Sequence, residues 1–249
     1  MNSRTAAPGP AYRRLSVSER HGQLIATAQR VFARRPPELV SLDDVAREAG
    51  VSRPLVYRYF PGGKQQLYEA ALSSAAAELE LCFAEPEAGP LSSRLANVLD
   101  RYLSFVAEHD EGFRALLKGG SVVETSRTTA IVDQVRRAAA AQVLLHLGAG
   151  EHDEGEHGPQ LRMTVRTWIA GVEAASLIWL DEGRKPPQRE LRNWLLDQLV
   201  AQLVVTAGRD AETARVLARA AAQEPPGGRV AALAKRTLAA ITPTGPLRS

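Results

Sequence analysis

A chain of 249 residues is long enough for one or two domains with real cores, and its richness in alanine, leucine, valine and arginine suits helix. A single cysteine, Cys82, excludes an intramolecular disulfide and suits a reducing compartment. The net charge of +3 is unevenly placed: residues 1–70 hold 11 Lys/Arg against 6 Asp/Glu, the remainder 20 against 22, so the basic excess that phosphate binding needs lies in the N-terminal part.

Residues 1–15 are rich in Pro, Gly and Ala and carry Arg4, Arg13 and Arg14; they read as a disordered arm, either an ordinary tail or a basic arm for a DNA minor groove. They contain no apolar h-region of a secretory signal, and no apolar run in the chain is long enough to span a bilayer. A cytoplasmic protein without a membrane partner is expected. A first helix is predicted over 17–35, with Leu24, Ala28, Val31 and Phe32 on one face and Ile25 beside it.

Residues 41–60, SLDDVAREAGVSRPLVYRYF, carry the most information. Ser41 with Asp44 three residues later is a helix-start signal, and Leu42, Val45, Ala46 and Ala49 then share a face. Gly50 ends that helix, Val51 reads as the buried turn residue, and Ser52 is a second N-cap candidate. Pro54 falls in the first turn of a new helix, where its missing N–H costs little. Leu55, Val56 and Tyr59 give this helix its apolar side, and Arg53, Tyr57 and Arg58 are left outside as donors to phosphates or base edges. Two short helices joined at a glycine turn make a helix-turn-helix. Lys64, after Gly62-Gly63, stands at the start of the next helix, where its ammonium and the free backbone N–H groups can share a phosphate.

That pattern, S-L-D-D-V-A-x-x-A-G-V-S-x-x-x-V-Y-x-Y-F followed by K-x-x-L-Y and preceded by Val31-Phe32-Ala33, resembles the DNA-binding domain of the TetR family of bacterial transcriptional regulators over about residues 18–72. Two departures stand out: Pro36-Pro37 replaces the family's glycine and aromatic residue after the first helix, and Gly62-Gly63 adds a residue before the lysine. The resemblance implies an all-α fold with a DNA-binding domain over 16–62 and a helical effector-binding and dimerisation domain over 63–208. A C-terminal extension, 209–249, follows and is partly helical.

The body is predicted as successive helices over 64–84, 91–108, 113–118, 122–147, 159–182 and 188–207, with a turn at 109–112 and a polar loop at 148–158. His152 and His157 in that loop are a weak metal signal, and a solvated loop is the expectation. The two helices over 159–182 and 188–207 are apolar on more than one side, which suggests burial against a second copy. Trp168, Val172, Ala175, Trp179, Leu191, Leu195 and Leu199 are the predicted dimer residues, and the resemblance likewise places the dimer on the last two body helices. A further helix is expected over 209–223 and a short one over 229–241, packed on the dimer or partly disordered.

The implied function is a repressor that binds double-stranded DNA at a pseudo-palindromic operator as a homodimer and is released by a small, apolar effector. Arg53 is the expected base contact, with Pro54 touching a base or sugar; Ser41, Tyr57 and Lys64 are expected at phosphates, Ser52 is a further DNA-contact candidate, and Tyr59 divides between packing and phosphate. Tyr102, Phe105, Phe113, Trp168 and Ser176 are the candidate effector residues, with Arg101 or Arg114 as polar anchors. No phosphate loop, HExxH or nucleophile elbow is present, so neither an enzyme nor a cofactor is expected. The alternative is a helical protein-binding or scaffold module without specific DNA recognition.

Overall fold

The computed structural model describes residues 15–86, 88–118, 126–148, 158–229 and 233. The elements are α1 (Val17–Arg34), a short 3-10 turn (Pro37–Leu39), α2 (Leu42–Glu48), α3 (Arg53–Tyr59), α4 (Gly63–Cys82), α5 (Leu91–Glu108), α6 (Asp110–Lys118), α7 (Ser126–His146), α8 (Pro159–Asp181), α9 (Gln188–Ala207) and α10 (Ala211–Ala222). No strand occurs among the described residues, and none of the helices there is long and apolar enough to cross a membrane.

Local chemistry starts the first helices. Ser16 accepts from the Glu19 N–H at 3.1 Å while Glu19 takes the Ser16 N–H at 2.7 Å, and Ser41 and Asp44 repeat that reciprocal cap at α2. Each pair satisfies two backbone donors that a helix start leaves open. Gly50, at φ +65°, supplies the left-handed turn that ends the second helix. Ser52 occupies the N-cap of α3, but its hydroxyl makes no capping bond there. Val51 is half-buried rather than buried.

Two cores form. In the head, Leu24, Ala28, Val45, Val56 and Leu67 are wholly removed from water, and Phe32 meets Tyr68 edge to face at 4.9 Å. In the body, residues of α5, α7, α8, α9 and α10 surround Leu103, Val106, Leu161, Val165 and Leu203. Helix α4 belongs to both: Leu67, Tyr68 and Ala71 are in the head core, and Leu79 packs against the body core. At 20 residues it is a rod of about 30 Å joining them without a flexible linker.

The predicted turn at 109–112 is corrected. Helix α6 begins at Asp110, directly after α5, and the Phe113 N–H donates to His109 O at 2.8 Å. Asp110 and Glu111 lie in its first turn, where acidic groups suit the helix dipole, and Arg114 pairs with Asp110 one turn on. Gly112 is there for space rather than for a turn: a Cβ on it would come within 2.9 Å of the Phe32 carbonyl oxygen of α1.

The first part of the C-terminal extension packs on the body. Helix α10 lies against α9 and α8. Beyond it, Gln223 accepts from Arg94 at 3.0 Å, and Glu224 takes the Ser92 N–H and hydroxyl, both at 2.7 Å. The start expected at 122 for the seventh helix, the loop histidines His152 and His157, and nearly all of the helix expected over 229–241 lie outside the described residues.

Candidate DNA-reading helix and body cavity

Helix α3 turns Val56 inward and presents Ser52, Arg53, Pro54, Tyr57 and Arg58 to solvent. Tyr59 is half-buried and stacks beneath the Arg58 guanidinium at 5.4 Å. The Arg53 guanidinium lies 5.5 Å from the centre of the Tyr57 ring and pairs with Asp43 of α2 at 3.0 Å. Both members of that pair are about half exposed, so the bond is weak and readily exchanged for a base edge or phosphate. Lys64 donates to the Glu38 carbonyl oxygen at 3.3 Å, beside the same face.

Ser41 caps α2, as its spacing from Asp44 predicts. Its hydroxyl donates to Asp44 at 2.6 Å and accepts from the Asp44 N–H at 3.1 Å. In this structure it serves the cap rather than offering a proton to a phosphate. The bonds from Ser41 hold the Asp44 carboxyl down at about 2, with smaller help from Arg35 and Arg47.

Behind the head lies a mostly apolar cavity of about 160 Å³, walled by α1, α4, α5, α6, α7 and α8. Of the expected effector residues, Tyr102, Phe105, Phe113 and Trp168 line it. The others do not. Arg114 is bound to Asp110 and Asp181, and Arg101 closes the C-terminus of α4 by donating to Cys82 O at 2.9 Å and Ala84 O at 3.0 Å. Ser176 is wholly buried and gives its proton to Val172 O at 2.8 Å, one turn back on its own helix. The hydroxyl of Tyr102 is buried near that of Ser176 without forming a well-shaped hydrogen bond, and burial raises its pKa well above the ordinary phenol value, with the Ser176 hydroxyl offsetting this in part.

Sequence reasoning missed Phe32, Tyr68, Arg136 and Glu173, which also line the cavity. The first two belong to the head core as well. Only the packing of α7 on α8 brings the last two together.

The predicted dimer residues are also corrected. Trp168, Val172, Trp179, Leu191, Leu195 and Leu199 are buried within the protomer, and Ala175 is half-buried against the same core. Two indoles are fixed there by hydrogen bonds, Trp168 to Leu195 O at 2.9 Å and Trp179 to Pro186 O at 2.7 Å. The apolar surface left outside is a different set: Met163 and Ile178 on α8, and Trp194, Val204 and Val205 on α9, each more than half exposed.

The family described as bacterial regulatory proteins, tetR family, matches residues 24–71, and the tetracyclin repressor-like C-terminal domain matches residues 91–202. A solved tetR-family transcriptional regulator from Streptomyces coelicolor is 45% identical, with a TM-score of 0.83 over 91% of this chain and 99% of that one. The chain belongs to the TetR family.

Within the TetR family, the transcriptional activator FasR of Mycolicibacterium smegmatis is 26% identical over 69% of this chain and 77% of its own. FadR from Bacillus subtilis, solved in complex with stearoyl-CoA, shares the fold at 18% identity, with a TM-score of 0.56 over 73% of this chain and 98% of that one. As a TetR-family member the chain is a helix-turn-helix transcriptional regulator, with the helix-turn-helix in α2 and α3 and a helical C-terminal domain behind it. The family and these relatives are regulators rather than enzymes.

Proposed function

We propose that this regulator represses transcription by binding a pseudo-palindromic operator as a homodimer in the cytoplasm, and leaves the DNA when a small effector fills the body cavity. The observation that carries this reading is the double membership of Phe32 and Tyr68. Both are buried in the head core, and both line the cavity. A ligand there touches the side chains that hold α1 and α4 behind the DNA-reading helix. It acts by preferring the body shape whose heads are wrongly spaced for DNA.

Two copies reading successive major grooves need their recognition helices about 34 Å apart. The exposed stripes of α8 and α9 supply the surface for such a pairing: Met163 and Ile178 flank Ala170, Gly171 and Ala174, small residues that allow close approach. On DNA, Arg53 reads a base edge, Pro54 touches base or sugar, and Ser52, Tyr57 and Lys64 hold phosphates, with Tyr59 between packing and phosphate.

The test is anisotropy of the purified protein on DNA from upstream of its own gene and on scrambled DNA, across a salt series. Selective, salt-sensitive binding that weakens in Tyr57→Phe is the expected result. Arg53→Ala relaxes sequence preference by about 1–3 kcal/mol, whereas Lys64→Ala weakens all DNA alike. Equal loss on both DNAs for Arg53→Ala removes it as the base reader. Weak binding that is equal on both DNAs, repeated in a selection from random sequences, favours the scaffold reading instead. The likeness to the activator FasR makes activation the second reading. Transcription that falls on deleting the gene would establish it.

A further inference from the structure

We infer that the effector is an amphipathic anion whose apolar part enters the body cavity and whose carboxylate or phosphate sits in the groove between α7 and α8, at Arg136, Arg137 and Arg166. The inference rests on the cavity being the effector site. It goes further by assigning the head group and the residues that read it.

The groove, about 430 Å³, is lined by Asp133, Arg136 and Arg137 of α7 and by Arg166, Ile169, Ala170 and Glu173 of α8. Arg136, Ile169 and Glu173 line the cavity as well. The wall between the apolar space and the polar groove is therefore one ion pair and one isoleucine. That pair is bidentate: Arg136 Nε meets the Glu173 carboxylate at 3.0 and 3.2 Å, and Nη2 reaches it at 2.8 Å. Arg136 Nη1 also holds Asp133 at 3.2 Å.

Charge points to the sign of the missing group. Both acids of the groove are taken up by Arg136, while Arg137 and Arg166, both exposed, form no ion pair among the described residues. Exposed arginines alone are common and mean little. What distinguishes these is that they line the groove whose Arg136, Ile169 and Glu173 also wall the apolar cavity. A purely apolar ligand offers nothing in place of the Arg136–Glu173 bond. An anion offers Arg136 a planar, two-pronged replacement for Glu173, which is the geometry a guanidinium binds best.

Size narrows the apolar part. An engineered cavity of about 150 Å³ takes up benzene, and this one is about 160 Å³. The apolar part is thus a compact aryl or medium-chain acyl group.

The deciding experiment is calorimetric titration of the full chain with octanoate, octanol and octanoyl-CoA at low and high salt. Octanoate is expected to bind at least about tenfold tighter than octanol at low salt, with the gap shrinking at high salt. Arg136→Gln, and separately the exposed pair Arg137→Gln with Arg166→Gln, bring the octanoate-to-octanol ratio towards one. Glu173→Gln, which removes the competing carboxylate, raises it. Octanoyl-CoA tighter than octanoate identifies a phosphate-bearing thioester as the source of the anion, and the reverse order identifies a free acid. Octanol binding as tightly as both anions overturns the anionic head and leaves the cavity reading standing. No binding of any of the three, with operator affinity unmoved at millimolar concentrations, overturns the cavity reading as well.

Discussion

The head and the body are built from the same helices-on-helices packing, yet they treat polar atoms and empty space in opposite ways. The head is closed except where Phe32, Tyr68 and Ala71 meet the cavity: Leu24, Val45, Val56 and Leu67 have no contact with water, and its donors Arg53, Tyr57 and Arg58 stand outside. The body keeps polar groups within. Arg94 Nε, Tyr102 Oη and Gln202 Oε1 are buried without partners, and a cavity lies among its helices. Buried unpartnered groups and unfilled space both cost stability. On the proposed function, a region that binds DNA with its surface gains nothing by retaining them, whereas a region that admits a ligand does. The lesson is that close packing surrounds the helix-turn-helix and slack lies in the helical body behind it.

The contrast is most sharply broken by truncation. Leu24→Ala in the head should lower unfolding free energy by about 3 kcal/mol, because it empties a closed site. Val135→Ala, on the cavity wall, should cost less than half as much, since part of that side chain already faces empty space. Equal losses in denaturant titrations of the two variants would remove the distinction. The seam between the regions comes next. Gly112→Ala should destabilise by about 1–3 kcal/mol, because the new Cβ meets the backbone of α1. It should also shift DNA affinity, because α1 belongs to the head.

Smaller effects sharpen the picture. Ser41→Ala should cost about 1 kcal/mol by removing the cap of α2. The same variant tests the pH dependence of the head. Asp44 is held below its ordinary value of 3.8, at about 2. It therefore contributes stability that is fully present above 3.8 and lost as pH falls through about 2. Acid unfolding followed by circular dichroism should lose that component in Ser41→Ala, and a profile identical to wild type would show that the cap does not govern it. The smallest stability change belongs to Ala139→Leu, which fills the cavity. Stability should stay within about 1 kcal/mol of wild type while octanol no longer binds, and undiminished binding would place the ligand elsewhere.

Much of this was legible in the residues themselves, and the parts that were not share a cause. The reciprocal cap of Ser41 and Asp44, the positive φ of Gly50, the bounds of α5 and α9 and the exposed side of α3 follow from neighbours within a few positions in the chain. So does the family resemblance, because the helix-turn-helix is a contiguous stretch. Gly112 was misread because a glycine in a turn and a glycine under a crossing backbone look alike until α1 is in place. Trp168, Trp179, Leu195 and Leu199 were assigned to a dimer because apolar stripes do not reveal which side the protomer itself will cover.

By itself, then, the sequence determined most of the helices, the cap at Ser41, the exposed side of α3 and the family, all of which depend on local periodicity and short-range hydrogen bonding. Only the tertiary structure decided which apolar faces remain outside, that Phe32 and Tyr68 serve two spaces at once, and that Arg136 of α7 meets Glu173 of α8 at the wall between cavity and groove. Those residues are 36 or more positions apart in the chain. Their relation is set by how whole helices pack, and no pattern within one helix encodes it.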